Sequence, residues 1–233
     1  MQQHPKSKSA CLNNHQHNTL MPQQPNKVEL IGHYGSDETI ALSAWTSTSR
    51  ELTQEKRDRI PELIQKLWTS GHKTPFEKGI VHFLVTTDIA THIHLLKHRI
   101  ASINAESARY KEIKHDGYYV PDDFAGGKQH DFWTDALIEH TERGNHLYHQ
   151  YLAEMTPVIG RKRAKEVARY FKSYNSQITA DVMFNMSSFA NFIKLRTAHD
   201  AQKEIQQVGI LMWDAVQSIE GNPFQHTLKA IAQ

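Results

Sequence analysis

Between residues 97 and 109 the chain sets cations, an imidazole and short polar side chains close together. Lys97, His98 and Arg99 are consecutive, Ser102, Asn104 and Ser107 follow, and Arg109 closes the run. Little in this stretch is apolar enough to build a core. Arg99 and Arg109 carry permanent charge on planar donor forks, which suit a phosphate or the edge of a pyrimidine. Hydroxyls and an amide add short donors, and the backbone N–H groups of such a segment can form a nest for an anion. The chemistry open to this set is recognition of something anionic and polar. A plainer alternative is a solvated loop closing a helix C-terminus, where cations are favoured in any case. Thiol chemistry is not open to the body of the chain. Its one cysteine, Cys11, lies in a polar tail, which leaves no intrachain disulfide and no cysteine-based zinc site.

The elements that must position these groups follow from periodicity. Residues 28–32 read as a short strand. A helix is expected over 61–70, with Pro61 at its first position and Ile60, Leu63, Ile64, Leu67 and Trp68 at helical spacing. Gly71 ends it, and 72–77 form a loop. Residues 80–87 are β-branched and aromatic, hence a strand. Asp88 can cap a helix carrying Ile89, Ile93, Leu96 and Lys97, which delivers the basic run at its C-terminal end. Further on, 118–120 read as a short strand before a turn at Pro121. A long helix covers 131–154 with Gly144 as a weak point, and a basic helix covers 161–172. Residues 178–184 look extended. A helix starting at Ser187 or Ser188 carries Phe189, Phe192 and Leu195. The last long helix, 201–219, puts Ile205, Val208, Leu211, Met212 and Val216 on one face.

This balance predicts an α+β (loosely α/β) fold: one helix-rich domain around a small central mixed or antiparallel sheet. A length of 233 residues allows one such domain with a substantial core. Residues 1–26 are rich in Gln, His, Asn, Pro and Lys and predict a disordered tail, with the catalytic domain spanning 27–233 and Met21 as an alternative start. A net charge of +2 excludes bulk polyanion binding. No apolar run is long enough for a membrane helix. Lys6 and Lys8 precede no apolar segment, so no secretory signal is visible and the cytoplasm is the expected location.

Lys97-His98-Arg99, seven residues and then Ser107 resemble the R-H-R-x7-S motif of the flavin-dependent thymidylate synthases. The likeness continues in Gly71-His72-Lys73-Thr74-Pro75-Phe76-Glu77, similar to that family's G-H-x-T-P-F-E segment. Glu166-Val167-Ala168-Arg169 resembles its E-x-A-R helix. Asn185, Asn191 and Leu195-Arg196 fall at its two asparagines and its L-R pair, and Ala201-Gln202 with Glu204-Ile205 resembles the start of its last helix. The match runs in order from about residue 28 to 215.

The resemblance implies methylation of dUMP at C5 with methylenetetrahydrofolate, FAD as hydride carrier and NADPH as reductant, in a homotetramer whose active sites are shared between subunits. It implies that Thr74, Lys97, His98, Arg99, Asn185, Ser187 and Asn191 line the flavin, with His72 as a further contact. It implies that His94, Lys97, Ser107, Arg109 and Arg169 hold dUMP, with backbone from Ala105, Glu106 and Ser107. Arg196 matches the catalytic arginine that presses on the uracil ring. The chain also departs from the pattern. Lys97 replaces an arginine, Ala105 stands where a glutamate is usual with Glu106 one place late, His94 replaces a glutamine, and Asp200 replaces a histidine. A relative acting on another pyrimidine nucleotide such as UMP also fits these departures.

The physical logic agrees. C5 of uracil is a poor nucleophile, and the common remedy is a cysteine added to C6. With Cys11 in a tail, that remedy is nearly excluded; another route is a fixed cation beside the ring, with Arg196 the natural candidate, stabilising negative charge on O2, N3 and O4. A preorganised donor of this kind is worth roughly 3–4 kcal/mol. Two rivals remain. The pairs His94/His98 and His146/His149 have helical spacing that can bind zinc, though no H-E-x-x-H is present. The cluster Arg161-Lys162-Arg163-Ala164-Lys165 could contact nucleic-acid phosphates. Its charge opposes the dipole at a helix N-terminus, which hints at an anion nearby. The reading carried forward has no membrane or nucleic-acid partner and no metal.

Overall fold

The computed structural model describes residues 24–124, 126 and 131–232. Four strands form an antiparallel sheet in the order β1-β2-β4-β3, with β1 at Lys27–Tyr34, β2 at Ile80–Asp88, β3 at Ser102–Ala105 and β4 at Gln177–Asn185. Their alternation decides which face is buried. Val81, Phe83 and Val85 of β2 and Ala180, Val182 and Phe184 of β4 are all buried. The opposite face is mixed, with Leu84 and Met183 among polar side chains that tie across strands, through His82 Nε2 and Asp181 Oδ1 (2.6 Å) and through the Thr86 and Thr179 hydroxyls (2.9 Å).

Two helices close the apolar face. Helix α7 (Met186–Arg196) contributes Phe189, Phe192 and Ile193, and α8 (Lys203–Gln217) contributes Ile205, Val208, Met212 and Val216. Phe189 stacks on Phe83 at 5.9 Å, and Phe192 lies 5.2 Å from Phe184. Helices α1 (Asp37–Trp45), α2 (Gln54–Asp58), α3 (Ile60–Thr69) and α9 (Gln225–Ile231) gather at one end. Asp37 knits this group together. Its buried carboxylate accepts from the His226 N–H, the Thr227 N–H and the Thr227 hydroxyl, satisfying the start of α9 from outside. Helix α4 (Ile89–Leu95) follows β2. Helices α5 (Phe132–Ile159) and α6 (Arg161–Ala168) form a hairpin turned by Gly160 at φ +81°, with its own small core of Tyr148, Leu152, Ala164 and Ala168.

Several expectations need correcting. Helix α5 runs on to Ile159, and Gly144 does not weaken it. A Cβ there would lie 2.4 Å from the Phe171 carbonyl oxygen, so the glycine permits a close crossing. The basic helix stops at Ala168 and tightens into a 3-10 turn, Arg169–Phe171. Helix α7 begins at Met186 because the Asn185 side chain caps it, accepting from the Ser188 N–H at 2.8 Å. Tyr118–Val120 makes one bridge, Tyr118 to Ser176, and no strand. The segment read as a polar loop contains β3. Helices α1, α2 and α9 have no counterpart among the expected elements. The end of the expected tail is packed: Gln177 donates to the Gln24 carbonyl at 2.6 Å, and Asn26 is buried between Thr87 and Gln207. The rest of that tail, with Cys11 and Met21, lies outside the described residues.

Candidate active site

The basic run is placed from both ends. At its start the Asp88 carboxylate accepts from the Thr91 N–H at 2.9 Å and caps α4 as expected, and buried Leu95 anchors the last turn. At its end β3 pairs with β4, Ser102 opposite Met183 and Ala105 opposite Ala180. The turn between delivers His98 onto α7. Its ring meets Phe192 edge-on at 4.8 Å, and Arg196 Nε donates to His98 Nε2 across 2.8 Å. His98 is therefore an acceptor at Nε2, with its proton on Nδ1. Burial, reinforced by the Arg196 charge, lowers its pKa to about 4, which keeps the ring neutral and able to accept. Arg196 occupies the last turn of α7, where the helix dipole favours a cation.

Around this pair lies a cavity of about 390 Å³, walled by Lys97, His98, Arg99, Asn185, Ser187, Asn191 and Arg196, with Glu77 on the rim. A groove of about 930 Å³ adjoins it, sharing Ser187 and Asn191. Trp68, Ile210 and Trp213 give the groove apolar walls, and Lys73 and Lys194 give it charge. Burial, with Lys194 nearby, pulls the Lys73 pKa down. Apolar surface beside amide donors and cations is what a planar ring system with an anionic tail requires. The expected flavin residues Lys97, His98, Arg99, Asn185, Ser187 and Asn191 are thus brought together. Thr74 and His72 are not part of this wall. Thr74 begins a 3-10 turn, Thr74–Lys78, whose other end supplies Glu77, and His72 is exposed.

A second cavity, about 310 Å³, takes up Glu106, Ser107, Lys111, Arg169 and Lys172. Arg109 stands beside this segment, donating from Nε to Glu166 at 2.8 Å. Hydrogen bonds from Arg163 and Arg109 hold the Glu166 carboxylate below its usual range. Glu106 does not take the place of the glutamate that is usual at position 105. Ala105 stays in register, and Glu106 seals the strand end instead. Its N–H donates to the Thr179 carbonyl (3.0 Å), and its carboxylate accepts from the Thr179 N–H (3.1 Å) and Lys111 (2.6 Å). Burial works to raise the Glu106 pKa, but these contacts prevail and hold it low.

The expected nucleotide residues are thereby split. Ser107 and Arg169 share the second cavity, with Glu106, whereas Lys97 and Arg196 line the first. His94, in the last turn of α4, lines neither. Strand β4 spans the interval, with Gln177 and Ile178 at the second cavity and Phe184 and Asn185 at the first. At about 3.3 Å per residue the two lie on the order of 20 Å apart. One chain does not bring Arg99, Arg109, Arg169 and Arg196 to a common cleft. Sequence reasoning missed Glu77 as a lining residue, although the Thr74–Glu77 segment signalled it. It also missed Lys111 and Lys172, whose partners lie far along the chain.

The rival chemistries find little here. Arg161 pairs with Glu112, Arg163 with Glu166, and Lys165 donates to the Tyr110 carbonyl, so the basic cluster clamps the 106–112 segment. These acidic partners answer the dipole mismatch at the start of α6. Helix α4 ends before His98, whose ring faces Arg196, and His149 faces Asp116. Among the described residues no three histidine, cysteine or acidic side chains group to hold a metal ion, and no helix is long and apolar enough to cross a membrane.

Residues 29–220 match the family described as thymidylate synthase complementing protein. The chain is 31% identical over 197 residues to the flavin-dependent thymidylate synthase of Pseudothermotoga lettingae, covering 82% of this chain and 85% of that one. It is 30% identical over 183 residues to the enzyme of the same description from Thermotoga neapolitana, covering 78% and 82%. Among solved structures it resembles the UMP/dUMP methylase PolB from Streptomyces cacaoi bound with 5-Br dUMP. The TM-score is 0.74 at 26% identity, over 90% of this chain and 96% of that one.

Proposed function

The chain belongs to the thymidylate synthase complementing protein family of flavin-dependent thymidylate synthases, and from that premise we propose that it reductively methylates dUMP to dTMP. The carbon comes from methylenetetrahydrofolate and the reducing equivalents from NADPH. The observation that carries this reading is the Arg196–His98 contact, set in the cavity where Lys97, Arg99, Asn185, Ser187 and Asn191 converge.

His98 accepts the Nε–H of Arg196 and so fixes the guanidinium plane. The terminal Nη donors of Arg196 have no protein partner among the described residues. They are left to meet negative charge developing on the uracil ring, and arginine keeps its own charge throughout. Lys97 and Arg99 are exposed cations suited to phosphates, and Asn185, Ser187 and Asn191 suit polar ring edges. These residues fit FAD, which when bound supplies the hydride chemistry. Ser107 and Arg169, with Arg109 beside them, hold the nucleotide.

Within one chain Arg196 and Ser107 line different cavities, set on the order of 20 Å apart along β4. The reading therefore requires the first cavity of one subunit to face the second cavity of another, in a homotetramer with shared sites. A mixture of Arg196→Ala and Ser107→Ala subunits tests this. Each alone is inactive, and reassembled mixtures regain part of the activity. Mixtures as inactive as their parents exclude a shared site.

A second reading, methylation of UMP, is favoured by one observation. Glu106 is committed to Thr179 and Lys111, and Ala105 leaves its place on the strand small. The deciding experiment supplies purified protein with FAD, NADPH, methylenetetrahydrofolate and either dUMP or UMP, and identifies the methylated product. Product from neither nucleotide defeats both readings.

A further inference from the structure

We propose that Lys172, through its buried pair with Asp116, is a positioning residue that holds the segment lining the nucleotide cavity in its binding shape. The inference rests on the reading that this cavity takes the pyrimidine nucleotide. Most of the cavity wall comes from one stretch, residues 106–115, Ser107 included. That stretch has no regular secondary structure. It is pinned to the sheet at Glu106, by Thr179, and just beyond its end at Gly117, whose carbonyl accepts from the Gln177 N–H at 3.0 Å. Between those points it depends on side chains.

Most of those links are exposed. Arg109–Glu166, Arg161–Glu112 and Lys111–Glu106 are ion pairs open to water on at least one side, and pairs of that kind contribute little. Lys172 and Asp116 differ, because their side chains are only 3% and 7% exposed. Lys172 Nζ donates at 2.6 Å to Asp116 Oδ1 and at 2.6 Å to Asn145 Oδ1, and it sits 4.8 Å from the centre of the Tyr148 ring. His149 Nε2 lies 2.9 Å from the other Asp116 oxygen, the Asn145 amide donates to the Asp116 carbonyl, and the Tyr148 hydroxyl accepts from the Ile113 N–H at 2.9 Å. Residues 113–116 are thus gripped by one face of α5, with Lys172 at the centre.

A buried ion pair is poor value for stability alone, since apolar residues of similar volume often do as well, but removing one partner strands a charge. Its use here is conformational. An irregular segment has many near-equivalent shapes, and a desolvated charge pair with all donors satisfied selects one. Burial pulls the Lys172 pKa down, and the hydrogen bond and charge of Asp116 oppose that pull. Lys172 also lies three residues after Arg169, and both line the cavity, so one short run supplies part of the wall and the clamp on residues 113–116.

The test uses the full-length flavin-loaded protein and its Lys172→Met variant. Three quantities are read: nucleotide affinity for dUMP and UMP by calorimetry, flavin affinity by fluorescence, and amide exchange over residues 107–116. The expected result is nucleotide binding weakened by about tenfold or more, faster exchange confined to 107–116, and unchanged flavin affinity. A folded variant with unchanged nucleotide affinity overturns the proposal. So does flavin affinity falling in step, which would mark a general loss of structure. If Lys172→Met does not fold, Tyr148→Phe deletes only the hydroxyl holding Ile113. It should weaken nucleotide binding by about threefold to tenfold, and no change overturns the proposal. Wild-type protein that binds neither nucleotide defeats the assigned function and, with it, this role. Wild-type binding that Lys172→Met leaves intact defeats the positioning role alone.

Discussion

Arg196 and His98 are joined side chain to side chain, Nε to Nε2 at 2.8 Å, although 98 residues separate them. The contact puts a permanent cation against a ring that must be neutral to receive it. Each residue thereby constrains the other: His98 orients Arg196, and Arg196 helps keep His98 deprotonated.

Arg196→Ala should lower methylation by about 100- to 1000-fold, the scale of losing one preorganised charge-stabilising donor. The yellow flavin should stay bound, because the remaining cavity wall is intact. Steady-state turnover with an absorbance spectrum of the purified variant checks both, and near-normal turnover would dismiss Arg196 as the charge that acts on the ring.

Acid should weaken the fold through His98. Its folded pKa, about 4, lies below the ordinary 6.5. Between these values the unfolded chain binds a proton that the folded chain does not, so stability declines as pH falls through that window. Burial lowers the His92 pKa too, with the same sign. The diagnostic is therefore the difference between wild type and His98→Gln in thermal melts from pH 7 to pH 4. The variant should show a shallower slope, and parallel slopes would contradict the pairing.

Gly144→Ala should destabilise. An alanine in an exposed helix usually gains up to about 1 kcal/mol over glycine, but here its Cβ meets the Phe171 backbone oxygen at 2.4 Å. Backbone cannot swing aside as a side chain can, so overpacking prevails, by about 1–3 kcal/mol. Urea unfolding gives the sign directly, and a stabilised variant would show that the helices do not cross so closely.

Asp37→Ala should cost about 2–3 kcal/mol. It strands two N–H groups and a hydroxyl at the start of α9, all bonded to one buried carboxylate. Chemical denaturation measures the loss. Asp37→Asn, which keeps an acceptor oxygen, should recover part of it.

Much of the architecture was legible in the chain. β2 follows from its β-branched and aromatic residues, β4 from the extended reading of 178–184, and α3, α7 and α8 from apolar residues at helical spacing, because those patterns report directly on what the core takes up. The cap at Asp88 was legible because it is local. What escaped depends on partners elsewhere. β3 is only four residues long, with Ile103 and Ala105 against the core, and exists because β4 offers it a ladder. Helix α1 is held by packing on α3 and on the Thr74–Lys78 turn, and by the Asp37 bonds to α9, rather than by its own periodicity. Gly144 looked like a weakness until Phe171 was seen against it.

The site divides along the same line. Residue types and spacing by themselves determined the family, the absence of a thiol from the chain body and the set of cations available, since these are properties of order along a chain. Tertiary structure alone decided that Arg196 pairs with His98, that Lys172 is buried against Asp116, and that Ser107 and Arg196 sit at opposite ends of β4. The reason is physical: a side chain's protonation, desolvation and reach depend on what the fold brings beside it, and sequence neighbours do not supply that.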